Sequence, residues 1–418
     1  MSQTLFIDEP ARAAARKRFE TLPMPTRLNE EFRFSNLKAL DLTAFASPTA
    51  PFAGDRDRII KGSVGLAQSA GRMVFANDGL LSRELYGDTL ATKGVIWKPL
   101  DVAAREHPGL LAEHFMVQGA PLGSEKFAAL HAARVKTGML LYVPRGVEIA
   151  LPVETFHWLS GEANAVFPHT LLIAEEGSKV TLIDYFMGAT PGTSGLAVGF
   201  NDLYIGQGAR VDYVCVQNWN LKTLAVQVNN TVVSAGGEVK SLNVNLGGRY
   251  ARTESMSRLS GDGGRSDMLA VTVGSGEQEF DLRTFQDHAA PGAASDLLYK
   301  NALDGTSRAI FAGMIKVEPG AHRTDAYQKV RNLLLSEDAE ADSMPGLEIL
   351  ADEVRCSHGA TSGQIDSEEL FYLLARGIPK HVALELMVQG FLQEAIDRLG
   401  NEALGVKLGE LVRAKLGA

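Results

Sequence analysis

A chain of 418 residues, 45% hydrophobic and 22% charged, carries enough apolar material for a large core, in one elongated domain or in two or three. Its net charge of -9 argues against a nucleic-acid binder, which needs surplus Lys and Arg to displace counterions from phosphates, and against an anionic membrane surface as partner. Cys215 and Cys356 are too few for a secreted disulfide scaffold, no apolar stretch reaches the roughly 18 residues of a membrane helix, and no signal peptide is visible. The expected location is therefore the reducing cytoplasm.

Residues 1–135 read as a mixed, partly helical region. A helix is expected over about 9–20, where the basic Arg12, Arg16, Lys17 and Arg18 lie among Asp8, Glu9 and Glu20 as a solvated face rather than a transit peptide. Residues 72–77 predict a short strand ending in an Asn77-Asp78-Gly79 turn. Helical spacing returns over 101–134, with Leu110, Leu111, His114 and Phe115 near one face.

Residues 136–345 read as a β region. Short runs such as Lys179–Ile183, Arg210–Val216 and Val239–Val244 are divided by Gly-centred turns, and glycine is enriched at 42 of 418 residues. Turn glycines at 177, 208, 237, 264, 292 and 320 recur about every 28 residues, and a second series at 247, 276 and 305 recurs about every 29. Two interleaved series per period predict a flattened coil with a tight turn at each edge, a β-helix whose rungs stack a continuous core. A β-sandwich with irregular turns is the alternative.

Residues 346–418 read as the last strands followed by a helical domain. Asp366 with Glu369 three positions on predicts a helix start, Leu370, Leu373 and Leu374 its apolar stripe, and Gly377 and Pro379 its end. A second helix carries Leu384, Val388, Phe391, Ala395 and Leu399 on one face and stops at Gly400.

Chemistry concentrates at the join between the two regions. If the segment Asp352–His358 is extended, Asp352, Val354, Cys356 and His358 share one side, and a thiolate and imidazole so placed suit a soft metal or a nucleophile–base pair. Two ligands do not complete a site, and on the residues alone a buried Cys beside a hydrogen-bonded His is the favoured account of the pattern. The pairs Gly206/Gly208, Gly261/Gly263 and Gly274/Gly276 lack the third glycine of a dinucleotide fingerprint, and no Gly-x-x-x-x-Gly-Lys-Ser/Thr loop is present, so the chain is not expected to hydrolyse ATP. His288 and His322 are expected in loops, near Asp287 and Asp325. Glu337, Asp338, Glu340 and Asp342 read as a solvated loop, and His157 and Trp158 as ordinary strand or turn residues.

The block Cys356–Thr361, Gly363–Asp366, Leu370–Leu373 and Arg376–Ile378, with Tyr327-Gln328, Asn332–Leu335 and Leu347–Ile349 upstream, resembles the C-terminal signature of the SufB/SufD family. Leu22–Arg27 with Glu30–Arg33 resembles the family's opening segment, although Phe32 and Phe34 stand where Trp and Tyr are expected. Gly359 after the histidine, the lack of clustered N-terminal cysteines and the length resemble the SufD branch rather than the SufB branch.

The resemblance implies a right-handed parallel β-helix with flanking helical regions, and a non-catalytic scaffold subunit in iron–sulfur cluster assembly. It further implies a heterodimer with SufB through the last part of the β-helix, and docking of the SufC ATPase on the C-terminal helices through Leu370, Phe371, Tyr372, Leu373, Arg376 and Gly377. His358 then matches the histidine credited with assembly at the SufB interface, as a metal ligand shared with SufB, and ranks above Cys356 beside it. A transient cluster at that interface is implied, no cofactor held tightly by the chain alone, and room for a flavin in the complex. The competing readings are a homodimeric metal-binding β-helix protein and a β-helix carbohydrate enzyme, the latter disfavoured by the lack of an evident catalytic carboxylate pair.

Overall fold

The computed structural model describes residues 8–417 apart from 38, 39, 41, 43, 47–49, 52, 88 and 137. Two long sheets dominate. In the first, the strands run in the order Gly79–Leu85, Gly71–Ala76, Val153–Leu159, Lys179–Gly188, Arg210–Asn218, Glu238–Asn245, Arg265–Gly274, Ala294–Leu303, Asp325–Leu334 and Arg355–Gln364. The second runs from Glu340–Ile349 through Arg308–Val317, Glu279–His288, Tyr250–Leu259, Lys222–Val233, Ser194–Ile205, His169–Ala174 and Met139–Val143 to Ile96–Pro99, with Asn164–Val166 beside Ser194–Ile205.

From His169–Ala174 onward consecutive strands alternate between the sheets, and neighbours within a sheet are parallel except at the start, where Gly71–Ala76 pairs antiparallel with Gly79–Leu85 and Ile96–Pro99 with Met139–Val143. This is the expected β-solenoid, of about eight turns, with helices at both ends. Arg210 pairs with Glu238, Glu238 with Arg265, and Arg265 with Ala294, so one coil takes about 28 residues.

The turn glycines set this pace. Gly177, Gly208, Gly276, Gly292, Gly305 and Gly320 all have positive φ, a region closed to most side chains. Coils also touch at their edges: a Cβ on Gly305 would lie 2.9 Å from the Gly276 nitrogen. At three positions the expectation is one residue off. The positive φ falls on Gly236, Gly263 and Gly248, not on 237, 264 and 247. Each is a Gly-Gly pair, and strand register, not composition, decides which member sits at the bend.

Strands in the middle of the solenoid are apolar on both faces because both are covered. Leu182, Met268, Leu297, Phe280, Leu282 and Phe311 fill the lumen. Outside the first sheet, Ile183, Val214, Val216, Leu242, Leu269 and Val271 pack against Val388, Leu392, Ala395 and Ile396 of the helix Lys380–Asp397 and Leu404, Leu408 and Val412 of the helix Glu402–Leu416. Outside the second, Val198, Leu224, Val226 and Tyr250 meet Phe32 and the Phe127 and Leu130 of helix Glu125–Arg134.

Buried charge fastens each cover. Lys300 Nζ lies 2.5 Å from the Glu394 carboxylate, tying helix to sheet. Arg252 donates to Glu254 at 2.7 Å, to Asp281 at 2.5 Å, and to the carbonyls of Glu31 and Leu122, with Phe32 stacked 3.9 Å away.

The elements expected at the N-terminus appear as the helices Glu9–Thr21, Leu100–Glu106, Pro108–His114 and Glu125–Arg134 and the strand Gly71–Ala76. Asn77 turns that strand back with φ of 51°. In the helix Lys380–Asp397 the buried face is Ala383, Val388, Leu392, Ala395 and Ile396, so Val388 and Ala395 keep their expected place while Leu384 and Phe391 are only half-buried. No helix among the described residues is long and apolar enough to cross a membrane.

Candidate functional site

The helical covers stop short of the solenoid's far end. Asp325–Leu334 still alternates: Ala326, Gln328, Val330 and Asn332 are buried toward the lumen, while Tyr327, Lys329 and Arg331 are exposed. The next strand of this sheet, Arg355–Gln364, is the last, and its outer edge pairs with nothing among the described residues. Glu340–Ile349 ends the second sheet in the same way. Two unpaired edges side by side form a ready template for another chain.

Cys356 and His358 lie on this last strand. Cys356 pairs in register with Ala326, His358 with Gln328, Ala360 with Val330 and Ser362 with Asn332. Side chains at paired positions of a parallel ladder share a face, so Cys356 and His358 occupy lumen-facing positions at the open end. Cys356 and Val354 pack on Ile315, Val317, Ala321 and Ala326. Asp352 does not join them. It is exposed in a bend, and Glu353 after it has φ of 58°, so strand alternation begins only at Arg355.

Partial burial, and then the nearby Asp325 carboxylate, raise the Cys356 pKa and favour the thiol over the thiolate. His358 is exposed. No group of three or more His, Cys, Asp or Glu among the described residues could hold a metal ion. This end of the chain brings two donor side chains, Cys356 and His358, to neighbouring positions on one face of the last strand.

The other histidines are elsewhere. His288 is not in a loop: it ends the strand Glu279–His288, buried, with Nε2 2.8 Å from Ser295 Oγ, and burial lowers its pKa to about 4. His322 is an exposed turn residue donating to the Asp352 carbonyl at 3.2 Å. His157 stacks between Phe75 and Phe186 at 5.2 and 5.0 Å, as an ordinary strand residue would. The acidic run is less free than expected, because Arg308 binds Asp342 and lies 3.3 Å from Glu340.

Asn332 holds the last strand in place. Its amide donates to Ser362 Oγ on the last strand at 3.0 Å and to Ser343 Oγ on the facing sheet at 3.3 Å, and it accepts from Asn301 one coil below at 2.7 Å. One side chain ties together both sheets and the last three strands of the first. Its sequence signal is a polar residue at an inward position of a strand whose inward neighbours include Ala326 and Val330.

Beyond the last strand, Asp366 caps the helix Ser367–Ala375, accepting from the Glu368 and Glu369 amides at 2.8 and 3.1 Å. Gly377, with φ of 80°, ends it. None of its residues is buried. Phe371 is 69% exposed, Tyr372 58% and Leu374 38%, Leu370 and Leu373 are half-buried, and the Arg376 guanidinium lies 5.0 Å over the Tyr372 ring. Exposed aromatics grouped on one short helix mark an interaction surface.

Comparison with known proteins agrees with this architecture. Residues 157–391 match the family model "SUF system FeS cluster assembly, SufBD core domain", and residues 4–155 match "SufBD protein N-terminal region". The chain is 29% identical over 97% of its length to the iron–sulfur cluster assembly protein SufD of Bacillus subtilis, covering 93% of that protein. It is 27% identical over 78% of its length to an iron–sulfur cluster assembly SufBD family protein of Staphylococcus epidermidis, covering 70% of it. With its coiled core and its N-terminal region both matched, the chain belongs to the SufBD family of iron–sulfur cluster assembly proteins, as a homologue of SufD.

Proposed function

We propose that this protein is a non-catalytic scaffold subunit of a cytoplasmic SUF-type assembly complex. It pairs with a SufB-type subunit through the open end of its solenoid and receives a SufC-type ATPase on the helix Ser367–Ala375. The observation that carries this reading is the placement of His358 and Cys356 on a strand whose outer edge is unpaired. Docking a second solenoid end to end satisfies the free main-chain groups of both sheets and closes the lumen over the half-site.

The cluster is cargo, held in transit at the shared edge, and any flavin belongs to the assembled complex rather than to this chain alone. Iron is bound by neutral imidazole or by thiolate. Cys356 keeps its proton more tightly than an ordinary thiol, which ranks His358 first. The remaining ligands come from the partner, since two donors do not fill an iron coordination sphere.

His358→Ala tests the assignment. The complex should assemble with unchanged stoichiometry and carry almost no iron or sulfide. A normal cluster yield would sink it.

A further inference from the structure

Gln328 and Asn332 are two buried amides on one strand with opposite fates. Asn332 has every bond it needs. Gln328 is 2% exposed, and neither its Oε1 nor its Nε2 has a hydrogen-bond partner among the described residues. Its neighbours are each bonded at one end, although Gln286 Oε1 and His288 Nδ1 also have no partner among the described residues, so Gln328 differs in having both ends of its amide unmade. Gln286, from the facing sheet, donates to Ser295 Oγ at 2.7 Å and to the Tyr327 carbonyl at 3.2 Å, and His288 shares the same Ser295 hydroxyl. Below Gln328 in its column is the apolar Leu297; above it, on the last strand, is His358.

A buried amide with both ends unmade is unfavourable, and such groups persist where function requires them. In a parallel ladder, residues paired across neighbouring strands stack about 4.8 Å apart on one face, within reach of a glutamine amide. We propose that Gln328 is the positioning residue of the candidate site: its Oε1 accepts the N–H of the His358 imidazole, fixes the tautomer and ring direction, and leaves the other ring nitrogen aimed past the open edge toward incoming iron. Histidine ligands are commonly oriented by such a partner, whose loss weakens metal binding or activity about tenfold or more. This inference rests on the reading of His358 as the cluster-facing group.

Gln328→Met keeps the volume and removes the amide. In histidine-labelled full-length protein, the ring-nitrogen NMR shifts of His358, assigned by loss of the signal in His358→Ala, should report one neutral tautomer in the wild type and a free-imidazole mixture in Gln328→Met. Gln328→Glu, which retains an acceptor oxygen, should restore the single tautomer. Cluster yield on the assembled complex of Gln328→Met should fall about tenfold or more.

An unchanged His358 tautomer in Gln328→Met, or a normal cluster yield, would make Gln328 a structural residue only and overturn the inference. The two readings fail separately. If His358→Ala leaves assembly intact, the site assignment is wrong whatever the tautomer does. If His358→Ala abolishes assembly and Gln328→Met does not, only the positioning role is wrong.

Discussion

Single side chains carry charge into places where the solenoid offers little water. Asp184 is the clearest case. Fully buried, it accepts from Thr170 Oγ1 at 2.8 Å and from Tyr213 OH at 3.0 Å with no cation beside it, and burial raises its pKa to about 7. A carboxyl whose folded pKa exceeds its unfolded value binds its proton more tightly in the folded state. Its contribution to stability is therefore greatest below about pH 4 and is lost as pH rises to about 7, each tenfold difference in proton affinity between the two states being worth about 1.4 kcal/mol. The buried histidines act in the opposite sense: burial lowers His131 to about 4 and His157 to about 3, so their contribution to stability rises as pH climbs from those values to the ordinary 6.5. The difference between wild type and Asp184→Asn isolates the carboxyl. Urea unfolding at pH 5 and pH 8 should find the variant relatively more stable at pH 8, and an identical difference at both values would remove the charge argument. Arg252 works the other way, as a buried cation between two carboxylates. Arg252→Met strands the Glu254 carboxylate and leaves Asp281 with Arg283 alone, and should lower unfolding free energy by about 3–5 kcal/mol, releasing the Phe32 segment first. Denaturant unfolding with a probe near Phe32 checks it.

Among elements, the difference between a covered and an uncovered strand decides what each can do. Arg210–Asn218 is sealed on both sides, and its run Tyr213-Val-Cys-Val216 already shows that, since apolar residues at successive positions must face both ways. The Gly-centred turns made the coil legible for a similar reason: a bend of positive φ needs glycine, and a coil needs one at a fixed interval. What covers each sheet was not legible, because alternation says that a face is apolar and not which distant segment lies on it. The roles of Asn332 and Gln328 were hidden too, since inward polar residues gain meaning only from their neighbours one coil away. Asn332→Ala should loosen the terminal strand alone. Amides of Arg355–Gln364 should exchange faster, by an amount corresponding to about 1–3 kcal/mol for the lost amide bonds, with the helix Lys380–Asp397 unaffected. The helix Ser367–Ala375 makes the opposite demand. Its aromatics contribute little to the fold because they are exposed, so the Phe371→Ala, Tyr372→Ala double variant should melt as the wild type does while losing about tenfold or more in affinity for the SufC-type ATPase, measured by calorimetry.

At the scale of the whole molecule, the chain is a coil whose ends differ: antiparallel strands finish both sheets at the start, and parallel strands finish them at the far end. Its early coils are wrapped by the N-terminal region and its first sheet by the C-terminal helices, while the last coil carries Cys356 and His358 and has two edges unpaired among the described residues. On the proposed reading those features belong together, because a site shared between two solenoids needs an uncovered end that carries donors. The histidine and cysteine were visible in the sequence as a pair of donors; their position at the lumen mouth of the last strand came only from register. The most direct measurement is the iron and sulfide content of the purified complex carrying His358→Ala. A complex that forms with normal stoichiometry and holds almost no cluster is the expected result, and one that forms and fills with cluster as the wild type does would contradict the scaffold site assigned to this end of the solenoid.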